Sequence, residues 1–155
     1  MHAISRRLAL LALGTLALFG TAACGGDDDD PTGPGGTATG TYTLRTVNGQ
    51  NVPTTVYEGD DLGFYYKVEV LSGHVTLDAD GTFEDVTTIR ETEGTGTPTP
   101  SEFVTVGTYT RTGNTLTFTD DDTGEDYTIT VQSDGSLVQS GDFGGFPLTA
   151  RYVRQ

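Results

Sequence analysis

The residues of this chain that could do chemistry are few and scattered. The chain has 155 residues with a single cysteine, Cys24, and only one histidine beyond residue 2, His74. Nucleophilic catalysis needs a serine or cysteine beside a base, and only Ser72 lies near His74, in a predicted turn without a residue to orient the base. A zinc site needs several His or Cys ligands, and one histidine with one distant cysteine cannot supply them. The sequence therefore predicts a protein that is not an enzyme.

Acidic residues are abundant, but their spacing indicates turns. Asp78 to Gly81 and Asp120 to Gly124 lack the third ligand and the later bidentate glutamate of a calcium-binding EF-hand loop. Asp and Gly are also the residues that tight hairpins require. Nothing distinguishes two of the 22 acidic residues as the carboxylate pair of a glycoside hydrolase. We predict no metal site and no cofactor.

The first residues indicate export. Arg6 and Arg7 precede a 12-residue apolar run over residues 8–19, and small residues follow. A helix of that length spans roughly 18 Å, which is short of the ~30 Å hydrocarbon core of a membrane. We therefore predict that residues 1–23 are a signal peptide and not a permanent membrane span.

The sequence Thr21-Ala22-Ala23-Cys24 resembles the lipobox of bacterial lipoproteins, in which small residues precede a cysteine that receives diacylglycerol. The resemblance implies that Cys24 is the lipidated first residue of the mature protein, although Thr21 stands where leucine is usual. Gly25 follows, and by the same resemblance the lack of Asp there is compatible with transfer to the outer membrane of a Gram-negative cell. The predicted location is the cell envelope, with a membrane anchor at the N-terminus.

The segment after Cys24 reads as a spacer between the anchor and a folded body. Residues 25–39 (GGDDDDPTGPGGTAT) have no large apolar side chain and contain four consecutive aspartates. Such a composition cannot bury enough apolar surface to fold. We predict three parts: the signal peptide 1–23, the lipidated cysteine with a disordered acidic tether over 24–39, and a folded domain over 40–155.

The charge balance limits the partners of the mature protein. Two of the eight basic residues lie in the leader, which leaves six against 22 acidic residues. A surface that acidic repels phosphate backbones, so nucleic acid is not expected as a partner.

From Gly40 onward apolar and polar residues alternate, which indicates β-strands. Tyr127, Ile129 and Val131 are the clearest example. Turn residues such as Asn48-Gly49 separate the runs at short, regular intervals. Short connections favour pairing between chain neighbours, so we predict an all-β fold, a small antiparallel up-and-down β-barrel of eight to nine strands. A two-sheet β-sandwich is the alternative.

Three stretches of this body resemble bacterial lipocalin-like domains. Residues 40–53 (GTYTLRTVNGQNVP) are similar to their opening strand and turn. Residues 72–83 (SGHVTLDADGTF) and 107–118 (GTYTRTGNTLTF) are similar to a central and a late hairpin. The resemblance covers residues 40–153 and implies a small barrel that often belongs to an envelope lipoprotein. It implies no catalytic residues.

The inward-facing side chains either fill such a barrel or line a ligand cavity. With a cavity, the barrel would bind a small apolar molecule. With a filled interior, it would be a structural or protein-interaction module that meets an unknown partner through its acidic outer face or a long loop over 91–101. The residues that would line a cavity are Tyr42, Leu44, Tyr66, Val68, Phe83, Phe118, Tyr127, Ile129 and Tyr152.

The last strand and the segment before it carry two further predictions. Tyr152 should face the interior, and its neighbour Arg151 should therefore point outward. The glycine-rich segment 141–147 contains Phe143 and Phe146. It is either a lid over one mouth of the barrel or a hairpin loop whose phenylalanines tuck back.

Overall fold

The computed structural model describes residues 38–61, 63–143 and 146–155, and every regular element in these ranges is a β-strand. The predicted signal peptide, Cys24 and the tether through residue 37 lie outside the described residues. No helix that could span a membrane occurs in the described part of the chain. The strands are β1 (Gly40–Val47), β2 (Gln50–Asn51), β3 (Thr54–Asp61), β4 (Phe64–Leu77), β5 (Thr82–Glu93), β6 (Thr99–Thr112), β7 (Thr115–Asp120), β8 (Asp126–Val131), β9 (Leu137–Phe143) and β10 (Phe146–Arg154).

The strands form one antiparallel sheet that closes on itself. From β3 to β10 each strand pairs with its neighbour in the chain, β10 pairs with β1, and β1 pairs with β4. Strands β1 and β4 to β10 are therefore an eight-stranded barrel, and β2 and β3 are additions at its edge. The predicted up-and-down barrel is confirmed, and the sandwich alternative is wrong. Short turns explain the order, because they allow only neighbour-to-neighbour pairing.

The two ends of the barrel differ. The β4–β5, β6–β7 and β8–β9 turns lie at one end, which we call the closed end. The β3–β4, β5–β6, β7–β8 and β9–β10 connections lie at the other, which we call the open end. Strands β4, β5 and β6 have 14, 12 and 14 residues, whereas β7 and β8 have six each. The wall is therefore taller on the β4–β6 side of the open end.

The predicted loop over 91–101 is mostly strand. Strand β5 continues to Glu93 and β6 begins at Thr99, with Glu91 paired to Thr99 and Arg90 to Pro100. Threonine and alternating polar residues sustain the ladder here, because one face of a barrel strand can remain in water. Only residues 94–98 connect the two strands.

The closed half of the interior is filled by aromatic rings. Phe118 lies at the centre, with its ring centroid 4.7 Å from Phe83, 5.0 Å from Tyr127 and 5.8 Å from Tyr109. The Tyr109 hydroxyl donates a hydrogen bond of 2.9 Å to the carbonyl oxygen of Asp78, which satisfies its polar end. Fully buried aliphatic residues complete this part of the core: Val75, Leu77, Leu116, Ile129 and Leu137.

The described chain also begins at the closed end. Ala38 and Thr39, which the sequence assigned to the tether, both contact the barrel. Ala38 is buried, and its carbonyl oxygen accepts a hydrogen bond of 2.8 Å from the Tyr42 hydroxyl. The Arg154 guanidinium donates to the carbonyl oxygen of Thr39. The first and the last residues of the folded domain therefore both contact the closed end of the barrel.

Strand β4 changes partners along its length. Its first half pairs with β3 and its last four residues pair with β1, and the register shifts between Val70 and Ser72. Gly73 follows this irregularity, and a Cβ there would lie 3.1 Å from the carbonyl oxygen of Val86 and 3.3 Å from the Leu44 side chain. The close approach explains why glycine occupies the point where the strand bends.

Candidate ligand cavity

The open half of the barrel contains a cavity of about 490 Å³. This volume falls within the range of small-molecule sites, roughly 300–1,000 Å³. The space exists because the inward positions here carry small side chains such as Thr87, Thr105 and Ala150, whereas the closed half carries large rings. Aliphatic side chains form much of the wall: Leu44, Val47, Val56, Val68, Val70, Ile89 and Leu148.

The structure separates the nine residues predicted to line a cavity. Four of them, Leu44, Tyr66, Val68 and Tyr152, line the cavity of the open half. Tyr127 lines a smaller side pocket next to it. The other four lie in the filled closed half and are not brought to the cavity: Tyr42, Phe83, Phe118 and Ile129.

The physical reason is that alternation reports the face of a strand and not the height along the barrel. Phe83 and Ile89 both point inward from β5, yet Phe83 packs against Phe118 and Ile89 lines the cavity. Residues at successive inward positions are about 6.6 Å apart along a strand. Phe83 lies in the filled half, whereas the next inward positions of β5, Asp85, Thr87 and Ile89, all line the cavity, so a single step separates the two halves on this strand.

Asp85 is one of the lining residues that sequence reasoning missed. It occupies the inward position between Phe83 and Thr87, directly above the aromatic core, and it lines both the cavity and the side pocket. Its Oδ1 atom is buried and has no hydrogen-bond partner among the described residues. Burial raises the pKa of the Asp85 carboxyl to about 6, and a hydrogen bond with the Thr87 side chain offsets only part of that rise.

Two phenols flank this carboxyl. Burial raises the pKa of Tyr152 and of Tyr127, and the charge of Asp85 raises both further. Both phenols therefore keep their protons at neutral pH and can donate hydrogen bonds. The Thr87 hydroxyl lies near both groups and lowers the pKa of Asp85 and of Tyr152, which offsets part of the rise that burial causes.

The lining of the cavity carries acid but no base. Besides Asp85, the only ionisable carboxyl along the described lining is that of Glu91, and no Lys, Arg or His is among those residues. Glu91 lies near the open end, where its Oε1 atom accepts a hydrogen bond of 2.6 Å from the Tyr66 hydroxyl. This hydrogen bond raises the pKa of Tyr66 to about 12. Among the described residues of the cavity wall, no cation balances the negative charge of Asp85.

Aromatic side chains border the mouth. The Tyr57 ring lies 4.6 Å from Phe146 and 5.9 Å from Tyr66. Phe146 therefore packs onto β3, which agrees for this residue with the hairpin prediction for segment 141–147. Most of that segment is strand and not loop, because β9 extends to Phe143 and β10 begins at Phe146. Phe103 also lines the cavity and is 55% exposed, so its ring lies at the rim.

The other residues singled out from the sequence lie away from the cavity. His74 is on the outer face, with its Nε2 atom 4.0 Å from the Glu84 carboxylate. Arg151 points outward, as predicted, and hydrogen-bonds Asp134 and Ser136 at the closed end. Within the described ranges no three His, Cys, Asp or Glu side chains are placed to hold a metal ion.

Comparisons of the chain with protein-family models, with curated proteins and with solved structures found no match. The barrel assignment rests on the observed strand pairing. The resemblance to lipocalin-like domains stays a prediction from the sequence.

Proposed function

We propose that this protein is a lipid-anchored lipoprotein of the cell envelope whose barrel binds a small molecule with a hydrophobic body. The observation that carries the proposal is the division of the interior into a filled closed half and a cavity of about 490 Å³ in the open half. A cavity that opens to water leaves apolar side chains solvated, and the barrel loses the stabilisation that their burial would provide. A barrel that served only as a scaffold would gain stability if larger side chains filled it.

The chemistry of the wall supports a hydrophobic ligand. Aliphatic side chains from β1, β3, β4, β5 and β10 surround the space, and the Tyr66 and Tyr152 hydroxyls add a few polar atoms. Removal of apolar surface from water contributes roughly 25 cal/mol per Å². Walls of this kind favour a ligand with a compact apolar body, and the few polar groups would fix its orientation.

The alternative predicted from the sequence, a filled interaction module, fits only the closed half of the barrel. The observation in its favour lies on the outer face of β6, where Val104 and Val106 are 51% and 44% exposed. Single exposed valines are common on protein surfaces. The cavity therefore favours ligand binding over this alternative.

The test of ligand binding uses the full chain, purified and placed in nanodiscs of phosphatidylcholine. A photoreactive octanol that carries a diazirine and an alkyne should label residues of the cavity wall, and peptide mass spectrometry should locate the label. Ala150→Phe, which fills the cavity, should abolish this labelling, and Thr149→Phe, at the neighbouring exposed position, should not. Thr105→Leu provides a milder filling variant if Ala150→Phe does not fold. Labelling confined to the outer surface would contradict ligand binding.

The anchor is tested separately, because Cys24 lies outside the described residues. Cells that express the full chain should incorporate an alkyne analogue of palmitate into the protein. The Cys24→Ala variant should lose this label and leave the membrane fraction. Equal labelling of both proteins would contradict lipidation at Cys24.

A further inference from the structure

We propose that the cavity selects ligands that carry a cationic amine on a hydrophobic body, and that Asp85 is the counter-ion of that amine. The inference rests on the proposed function and names the chemical class of its ligand. It depends on an acidic side chain at the inner end of a cavity whose described wall residues include no basic group.

One carboxylate oxygen of Asp85 lacks a hydrogen-bond partner among the described residues. A buried carboxylate oxygen without a partner is destabilising, and proteins normally pair such an atom with a donor. Asn or Thr at position 85 would fit the same space without a charge. A carboxylate kept there, with Oδ1 buried and unpartnered among the described residues, therefore indicates a partner that arrives with the ligand.

An amine beside Asp85 would meet further hydrogen-bond acceptors. An ammonium group has three protons to donate, and Asp85 can accept one or two of them. The hydroxyl of Thr105 lies on the wall shared by the cavity and the side pocket, the hydroxyl of Thr87 lies on the cavity wall, and the amide of Gln139 lines the side pocket. These oxygens are suited to accept the remaining protons.

The position of Asp85 determines how the ligand is oriented and which ligands are disfavoured. Asp85 lies at the inner end of the cavity, and aliphatic side chains line the wall from there towards the open end. An amphiphile would therefore enter with its amine first and leave its apolar chain towards the mouth. A carboxylate of the same length would meet the like charges of Asp85 and Glu91, which disfavours it.

The affinity of the cavity for an amine should depend on pH. Tyr127 faces Asp85 from β8 and Tyr152 from β10, and their high pKa values keep both neutral. Glu91 on β5 lies further towards the mouth beside Tyr66 of β4, and the acids Asp120 of β7 and Asp142 of β9 line the side pocket. The pKa of the Asp85 carboxyl, raised to about 6, places its ionisation between pH 5 and 7. Affinity for an amine should rise through this window, because a primary amine stays protonated to about pH 10.

The experiment compares three ligands of one chain length: octylamine, octanol and octanoate. Each competes with the photoreactive octanol for labelling of the cavity wall, with the full chain in phosphatidylcholine nanodiscs. Octylamine should compete best at pH 7.5 and lose roughly ten- to a hundredfold of its affinity in Asp85→Asn, the range expected for a charged hydrogen bond. Octanol should bind both proteins alike. Glu84→Gln, at the adjacent outward position, should leave all three affinities unchanged.

The outcomes separate the two proposals. If no probe labels the cavity wall, ligand binding itself is contradicted. If octanol or octanoate competes as well as octylamine, or if Asp85→Asn leaves the octylamine affinity unchanged, ligand binding stands and the role of Asp85 is overturned. A carboxyl resonance of Asp85 that shifts to a lower pKa on addition of octylamine would support the ion pair directly.

Discussion

The rings of Tyr57 on β3 and Phe146 on β10 lie 4.6 Å apart across a part of the wall where these two strands do not pair. The gap arises because β4 leaves β1 at the irregularity after Val70 and pairs with β3 instead. Side-chain packing, and not a ladder of backbone hydrogen bonds, therefore closes this stretch next to the cavity. A contact between two rings opens at a smaller energetic cost than a strand ladder.

Removal of the Tyr57 ring should speed ligand exchange. A bound fluorescent amine should dissociate several-fold faster from Tyr57→Ala than from the natural protein. The free energy of unfolding should fall by about 1–2 kcal/mol, the range for a partly buried aromatic pair. Stopped-flow displacement of a bound fluorescent amine would measure the rate. Tyr65→Ala, which removes a tyrosine whose hydroxyl bonds the exposed Glu58, is the control and should leave the rate unchanged. Equal rates in all three proteins would place the exit route elsewhere.

Replacement of Asp85 by asparagine should stabilise the protein at neutral pH. The pKa of this carboxyl rises from its ordinary 3.8 to about 6 on folding, so the folded state binds the proton more tightly. Asp85 therefore destabilises the fold increasingly as pH rises from 4 to 6, by up to about 3 kcal/mol above that window. Urea unfolding from pH 4 to 7.5 measures this effect. At the upper end of the range, the free energy of unfolding of Asp85→Asn should exceed that of the natural protein by this amount, and that of Glu84→Gln should not change. A difference that does not change with pH would mean that the Asp85 carboxylate is solvated.

Two leucines should report the division of the interior. Leu116 is fully buried in the closed half, and Leu116→Ala should lower the free energy of unfolding by about 3–5 kcal/mol because it creates a new void. Leu148 is partly buried and borders existing empty space. Leu148→Ala should therefore cost about 1–2 kcal/mol. Chemical denaturation measures both, and equal losses would contradict the cavity.

Gly107 on β6 should not tolerate a side chain. A Cβ at this position would lie 2.0 Å from the carbonyl oxygen of Thr119 on β7 and 2.9 Å from the Phe83 ring. Neither neighbour can retreat, since one is strand backbone and the other is core, so Gly107→Ala should cost more than about 3 kcal/mol. Gly59→Ala is the matched control, because the nearest atom to its Cβ is the movable hydroxyl of Tyr57 at 3.0 Å. Thermal unfolding should show a large drop for the first variant and a small one for the second.

The fold could be predicted because its determinants are local. Alternation such as Tyr127, Ile129 and Val131 indicates strands, and turn residues such as Asn48-Gly49 mark their ends. Short turns then fix the order of the strands. The extent of β5 and β6 was missed because threonine-rich segments resemble loops in composition, although they can form strands as readily as apolar ones.

The cavity could be predicted only in part. The inward face of each strand follows from alternation, and Leu44, Tyr66, Val68 and Tyr152 were found in this way. The height at which the core ends depends on which side chains meet from opposite walls, and a single sequence does not reveal that. Asp85, by contrast, left a local signal: it lies two residues after Phe83, which the sequence predicts to be inward, and therefore shares its face of the strand.

The fastening of Ala38 beneath Tyr42 has a consequence for how the barrel would exchange its contents. An anchor at Cys24 would reach the domain through the predicted tether at the closed end, and neither would cover the mouth between Tyr57 and Phe103. The ligand could then enter and leave the cavity while the protein stays attached to the membrane. In that arrangement the closed end would serve attachment and the open end would serve ligand exchange.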